Sequence, residues 1–197
     1  MSVEREKYMS REETKQLRTV TQAQATIDLS KGRAKGVVGW MLIDVALSTG
    51  LRVSEIARIK IEDVDFKRGS LRVVRSKKKH TKPETLALGK DLLQHLRDFI
   101  SWTGKKDGSL FVGQRGALTP AGLQQAWKAA IKQANLPDEL SIHSARHTCA
   151  VRLLKKTGNL RQVQKQLGHA SPTITANMYA DVSFEDMQNG VSNLFDD

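Results

Sequence analysis

Cysteine is almost absent. Cys149 is the single thiol in 197 residues, which excludes an intramolecular disulfide and a cysteine-based metal cluster. It stands between Thr148 and Ala150 on a strongly helical stretch and reads as a small buried hydrophobe rather than a nucleophile. Long apolar runs are missing too. Hydrophobic residues make up 39% of the chain, and no run approaches the roughly 18–20 residues of a membrane span. The charged start Met1-Ser2-Val3-Glu4-Arg5-Glu6-Lys7 lacks the apolar centre of a signal peptide. A soluble, cytoplasmic protein with no membrane partner is expected. Neither an internal repeat, a low-complexity segment nor an interdomain linker is visible. Acids are scarce in two places. None lies between Glu139 and Asp181, where Arg146, Arg152, Lys155, Lys156, Arg161 and Lys165 fall; none lies among Arg72, Arg75, Lys77, Lys78, Lys79, His80 and Lys82. With a net charge of +11, such fields attract polyanions, and nucleic acid is the commonest in the cytosol. A basic surface kept only for solubility is the bland alternative.

What is present is mostly helix punctuation. Ser10-Arg11-Glu12-Glu13 reads as a capping box opening a helix to about Asp28, broken at Lys31-Gly32. From Arg33 to Thr49, Val37, Val38, Met41, Leu42, Val45 and Ala46 recur at helical spacing, predicting an amphipathic core helix that ends at Gly50. Ser54 to Ile59 restarts a short helix. Asp63 to Gly69 is turn-like, Ser70 to Val74 reads as a strand, and Thr85 to Leu88 as its return, giving a hairpin with a basic tip. Leu92, Leu93, Leu96, Phe99 and Ile100 mark a helix closed by Gly104. Thr119-Pro120 starts another that runs to about Ala134, with Pro137 as its stop. Further helices are expected from His143 to Thr157, from Asn159 to Leu167, from Ser171-Pro172 to near Tyr179, and from Ser183 as a short tail carrying Met187, Val191, Leu194 and Phe195. The fold class is mainly α with one small antiparallel sheet, α+β.

His143 and Arg146, three residues apart, share one face of their helix. Gly168-His169 and a solitary Tyr179 follow, and Gly50-Leu51-Arg52 precedes. Arginine, histidine and a nucleophilic hydroxyl are the parts that phosphoryl transfer uses. Thr49-Gly50-Leu51-Arg52-Val53-Ser54-Glu55-Ile56, Ser76-Lys77 at a strand end, His143-Ser144-Ala145-Arg146-His147-Thr148, Leu167-Gly168-His169 and Met178-Tyr179-Ala180 together resemble the tyrosine recombinase (phage integrase) family, from about residue 45 to 182.

That resemblance implies a recombinase catalytic-domain fold. The implied enzyme cuts and rejoins DNA strands through a 3′-phosphotyrosyl intermediate, with no metal, ATP or other cofactor. By resemblance, Arg52 and Arg146 clamp the phosphate, where arginine's always-charged planar fork suits the developing charge. Tyr179 is the nucleophile, His143 the base, and His169 a hydrogen-bond donor to the phosphate. A hairpin lysine protonates the leaving oxygen, Lys77 by its placement after Ser76, with Lys79 second. Glu55, three residues after Arg52, would orient the site. Arg75, Lys78, Lys79 and Lys82 are expected as phosphate contacts on double-stranded DNA. His147 lies about 100° round the helix from Arg146 and reads as structural; His80 and His95 read as surface residues, and Tyr8 as packing.

The residues ahead of Arg52 look like the first helices of the catalytic domain, so residues 1–197 are expected to be one catalytic domain, without the N-terminal core-binding domain that relatives carry. Residues 180–197 are expected to form a tail docking on a neighbouring protomer, giving a homo-oligomer on DNA, or folding back in cis. A bacterial or phage-encoded, nucleoid-associated protein of a mobile element fits. A type IB topoisomerase-like relaxing enzyme shares a similar residue set, and a non-catalytic DNA-binding regulator could keep the fold. A zinc hydrolase fits poorly, because His143 and His147 lack the intervening glutamate of that motif.

Overall fold

The computed structural model describes residues 8–75 and 82–168. The chain begins as the capping box requires. Ser10 Oγ accepts the Glu13 amide at 3.1 Å and Glu13 Oε2 accepts the Ser10 amide at 2.8 Å, opening α1 (Arg11–Ser30). The helix runs slightly past its expected end. Its neighbour α2 (Ala34–Thr49) ends at Gly50 in the left-handed conformation (φ 64°), where glycine has no Cβ penalty.

Helix α2 is the axis of the molecule. Met41, Leu42, Ile43, Val45 and Ala46 are all essentially inaccessible, and α1, α4 (Lys90–Thr103), α5 (Pro120–Gln133) and α6 (Ile142–Thr157) pack round it. The expectation of an amphipathic helix is therefore corrected: α2 is covered on nearly every side, as a helix apolar all round must be. Truncating a residue such as Met41 to alanine would cost about 2–5 kcal/mol. One polar group, Asp44, is buried within it and held by Arg18 from α1 (2.6 Å) and His95 from α4 (2.8 Å). His95, expected at the surface, is half-buried here and packs edge-on to Trp40 at 4.9 Å.

After the short α3 (Val53–Ile56) and a 3₁₀ turn at Ile61–Asp63, the expected hairpin forms from β2 (Ser70–Val73) and β3 (Glu84–Ala87), in register Leu71↔Leu86 and Val73↔Glu84. Val64–Asp65, inside the segment expected to be a turn, adds an edge strand β1 by pairing Val64 with Leu71. A second ribbon, β4 (Val112–Gly113) with β5 (Gly116–Ala117), was not anticipated. Strands of two residues carry no alternation from which to read them.

The second half follows its caps closely. Thr119 Oγ1 accepts the Gly122 amide with Pro120 at the first helical position of α5. Trp127 Nε1 donates to the Leu140 carbonyl at 2.8 Å, fastening α5 to the approach to α6. Thr148 ties α6 to the start of the described chain by accepting the Met9 amide at 2.9 Å. Helix α7 (Leu160–Leu167) seats Val163 and Leu167 on Ala150, Leu153 and Leu154 of α6. The helices expected beyond Gly168 lie outside the described residues. No helix among the described residues is long and apolar enough to cross a membrane.

Candidate active site

Gly50 is where three helices converge. Its positive φ turns the chain out of α2, and a Cβ there would collide with the Leu167 side chain and lie 3.2 Å from Cys149 Cβ. That turn leaves its carbonyl free to accept from Arg146 Nη1 at 2.6 Å, while Arg146 Nη2 donates to the Leu167 carbonyl at 2.8 Å. Arg146 is 6% exposed. One guanidinium thus closes the C-terminal ends of α2 and α7, whose last carbonyls have no partner within their own helices.

Two residues on, Arg52 occupies the N-cap position of α3 with an extended backbone (φ −71°, ψ 150°). Glu55, one turn further, reaches back to it twice. Its Oε2 accepts the Arg52 amide at 2.9 Å and its Oε1 accepts Arg52 Nη1 at 3.1 Å. Glu55 is 1% exposed, whereas the Arg52 side chain keeps 21% of its surface open. A buried carboxylate holds an arginine that still faces outward.

Arg75 contradicts its expected place. Read as an exposed phosphate contact, it is 3% exposed. Its Nε donates to Glu84 Oε2 at 2.9 Å, its Nη2 to the Gln166 carbonyl at 2.9 Å, and its Nη1 lies 3.5 Å from Glu55 Oε2. A buried guanidinium needs this company because desolvating an unpaired charge costs several kcal/mol. The guanidiniums of Arg52 and Arg75 therefore face the carboxylates of Glu55 and Glu84, while Arg146 is held by backbone carbonyls alone among its described partners.

The electrostatics follow. The Arg146 guanidinium is held down to about 10, first by burial and then by repulsion from Arg52, with Glu55 partly offsetting it and Arg75 adding to it. It stays charged at neutral pH, and an arriving anion would relieve the strain. Cys149, on the other side of Gly50, is buried with its thiol pushed up to about 11 by desolvation, as expected of a small hydrophobe.

His143 lies in the first turn of α6, exposed, one turn before Arg146. His147 is half-buried and Lys82 exposed. Ser76, Lys77, Lys78, Lys79, His80, His169 and Tyr179 lie outside the described residues, as does the tail. So the structure brings together Arg52, Glu55 and Arg146, with His143 on the same helix as Arg146. Sequence reasoning missed Glu84 and the anchoring role of Arg75. A usable signal existed in the sequence, since Glu84 is the first acid after the basic block. Among the described residues no group of three or more His, Cys, Asp or Glu is placed to hold a metal ion.

The chain belongs to the phage integrase family, whose match spans residues 7–186. Tyrosine recombinase XerC of Pseudomonas aeruginosa is 34% identical over 149 residues, 73% of this chain and 47% of that protein. Tyrosine recombinase XerD of Staphylococcus saprophyticus is 32% identical over 152 residues, 72% of this chain and 49% of that protein. The chain spans about half the length of the curated relatives it matches. Among solved structures, the fold matches the Tn1549 transposon integrase in complex with transposon right end DNA, with a TM-score of 0.77 at 21% identity over 98% of this chain and 67% of that one. It matches XerA recombinase with a TM-score of 0.74 at 23% identity, covering 94% and 64%.

Proposed function

We propose that this chain is the catalytic part of a site-specific DNA recombinase. It cuts one strand with Tyr179, holds a 3′-phosphotyrosyl intermediate, and rejoins the end to a partner strand without metal or ATP. The observation that carries this reading is a buried guanidinium, Arg146, beside a partly open one, Arg52. Arg146 is buried and fixed by two backbone carbonyls, its proton affinity lowered first by that burial and then by Arg52, and Glu55 holds the outward-facing Arg52 in place. Positive charge packed against its own repulsion, in a site with two arginine forks, suits a phosphodiester whose non-bridging oxygens gain charge in the transition state.

The chemistry then assigns the remaining roles. Tyr179 Oη attacks phosphorus as its proton passes to His143, and the bond to the 5′-oxygen breaks as Lys77, or Lys79 in its place, supplies a proton. His169 donates a hydrogen bond to a non-bridging oxygen. Each well-placed acid or base is worth about 10²–10⁴ in rate. Exposed Lys82, with Lys78 and Lys79, contacts DNA phosphates. The names of the relatives, recombinases and a transposon integrase in complex with transposon right end DNA, support double-stranded DNA as the partner and a mobile element in a bacterial cytoplasm as the setting.

The tail is proposed to link protomers on DNA. After Lys165 the chain carries no further lysine or arginine, but it carries Asp181, Glu185, Asp186, Asp196 and Asp197 among apolar Val182, Met187, Val191, Leu194 and Phe195. An open groove of about 860 Å³ between α6, α7 and the hairpin is complementary to it, with Leu47, Leu88 and Leu153 at its floor and Arg152, Lys156 and Lys165 at its rim.

A nicked suicide duplex carrying the recombination site tests the reading. Wild type should be trapped as a covalent adduct with EDTA present, and Tyr179→Phe should bind the duplex normally but form none. An adduct with the phenylalanine variant would move the nucleophile elsewhere, and activity lost to EDTA would sink the metal-free mechanism.

A further inference from the structure

Arg75 is buried and joined to three segments of the site, and none of the proposed chemistry uses it. Arg75 lies two residues beyond strand β2 and is followed at once by Ser76-Lys77; Gly168, against which its guanidinium lies, is followed at once by His169. The packing there is close. A Cβ on Gly168 would collide with Arg75 Nε and lie 2.6 Å from Cζ, so glycine at φ +65° is required both for the turn and for the guanidinium beside it.

Each nitrogen of Arg75 addresses a different segment. Nε holds Glu84, the residue where the chain re-enters the sheet; Nη2 holds the Gln166 carbonyl at the end of α7; Nη1 faces Glu55, the carboxylate that holds Arg52. The adjoining Leu167 carbonyl is held by Arg146. Two guanidiniums thus cap consecutive carbonyls at the negative end of α7, a favourable place for cations. Nη1 is fully buried and makes no hydrogen bond among the described residues. Its only described partner is therefore the Glu55 carboxylate at ion-pair distance. Nη1 serves to balance the buried Glu55 carboxylate, whose two oxygens accept from Arg52.

We propose that Arg75 is a positioning residue. It couples the end of strand β2, the end of α7 and the Glu55–Arg52 pair into one rigid frame, so that the groups projecting from those three places keep a common geometry. Its effect on strand cleavage rests on the recombinase reading; the coupling itself does not. Lysine cannot replace it, because an ammonium on a flexible stem cannot address three directions at once.

The test compares wild type with Arg75→Lys and Arg75→Gln in three measurements. Duplex affinity should stay within about twofold, because a buried side chain contributes little to phosphate contact. Single-turnover adduct formation at saturating duplex should slow by about 10- to 10²-fold, the cost of an ångström-scale misplacement. Amide hydrogen exchange in peptides spanning residues 52–56 and 160–168 should quicken by about tenfold, as expected for loss of one buried charge-assisted hydrogen bond, while α1 and α4 stay unchanged. Affinity and cleavage falling in proportion would return Arg75 to the DNA contacts and overturn the proposal. So would unchanged exchange at the end of α7. If Arg75→Gln does not fold, Arg75→Lys decides by the same exchange peptides; if neither folds, Arg75 is a core ion pair and nothing more. Should wild type itself give no adduct on any duplex offered, the recombinase reading fails, and the exchange measurement still decides the coupling.

Discussion

At the scale of single residues, burial separates side chains that look alike in the chain. Arg52 and Arg75 each stand at a junction of secondary structure, yet one keeps a fifth of its side-chain surface open and the other keeps almost none. Cys149 shows the same effect of burial on a thiol. Its thiol is raised from 9.0 to about 11 by burial. The folded value therefore exceeds the unfolded one, so the associated stability is present below about pH 9 and is lost as pH rises through about 11. At pH 8, alkylation or disulfide exchange at Cys149 should run about 10²-fold slower in the folded protein than in the urea-unfolded chain. Between pH 8 and 10.5 wild type should also lose stability relative to Cys149→Ala. Equal labelling rates in the folded and unfolded protein would show that the thiol is open to water.

At the scale of elements, the site is a set of helix ends. The C-terminus of α2, the N-terminus of α3 and the C-terminus of α7 meet at Gly50, Arg52 and Leu167, and arginines satisfy the carbonyls that those ends leave over. Gly50→Ala tests the junction. It imposes a left-handed conformation on an L-residue and drives a methyl into Leu167 and Cys149, which should together cost about 2–4 kcal/mol in urea denaturation. Because the carbonyl of residue 50 orients Arg146, adduct formation should fall even under conditions where the variant is folded. A change under about 0.5 kcal/mol, the usual size of a neutral surface substitution, would mean that the helices do not meet as described. Much at this scale is readable in advance. Ser10 with Glu13, Thr119 with Pro120, and the glycines after α2, α4, α6 and α7 all lie where local reasoning puts them, because a cap is decided within four residues. The paired β1 edge and the β4–β5 ribbon are not readable in that way, since two-residue strands exist only through their partners.

At the scale of the whole molecule, charge is the dominant property. The chain carries +11, and Arg152, Lys155, Lys156, Arg161 and Lys165 stand exposed on α6 and α7. If DNA lies along these helices, the logarithm of affinity should fall linearly with the logarithm of salt concentration, by about 0.9 for each phosphate contacted. Substituting Lys155, Lys156 and Arg161 together by glutamine should flatten that slope by about 0.9 per contact removed, uniformly across DNA sequences. A slope that does not move would place the duplex on another face.

Within the described residues, the sequence by itself determined the periodic and the local: which stretches are helical, where most of them start and stop, and that a hairpin interrupts them; by resemblance it marked Arg52, Glu55, His143 and Arg146 as candidates for one site. Those properties depend on spacings of three or four residues, or on motifs that survive as strings. Tertiary structure alone decided that α2 is enclosed rather than amphipathic, that His95 serves a buried Asp44, and that Arg75 faces inward. Each of these depends on a partner far away in the chain: Asp44 and His95 are 51 residues apart, Arg75 and the Gln166 carbonyl 91. A basic residue beside a run of lysines looks like a surface contact until the fold brings two carboxylates and a helix end to it, and burial of a charge is worth its cost only when all of them arrive together.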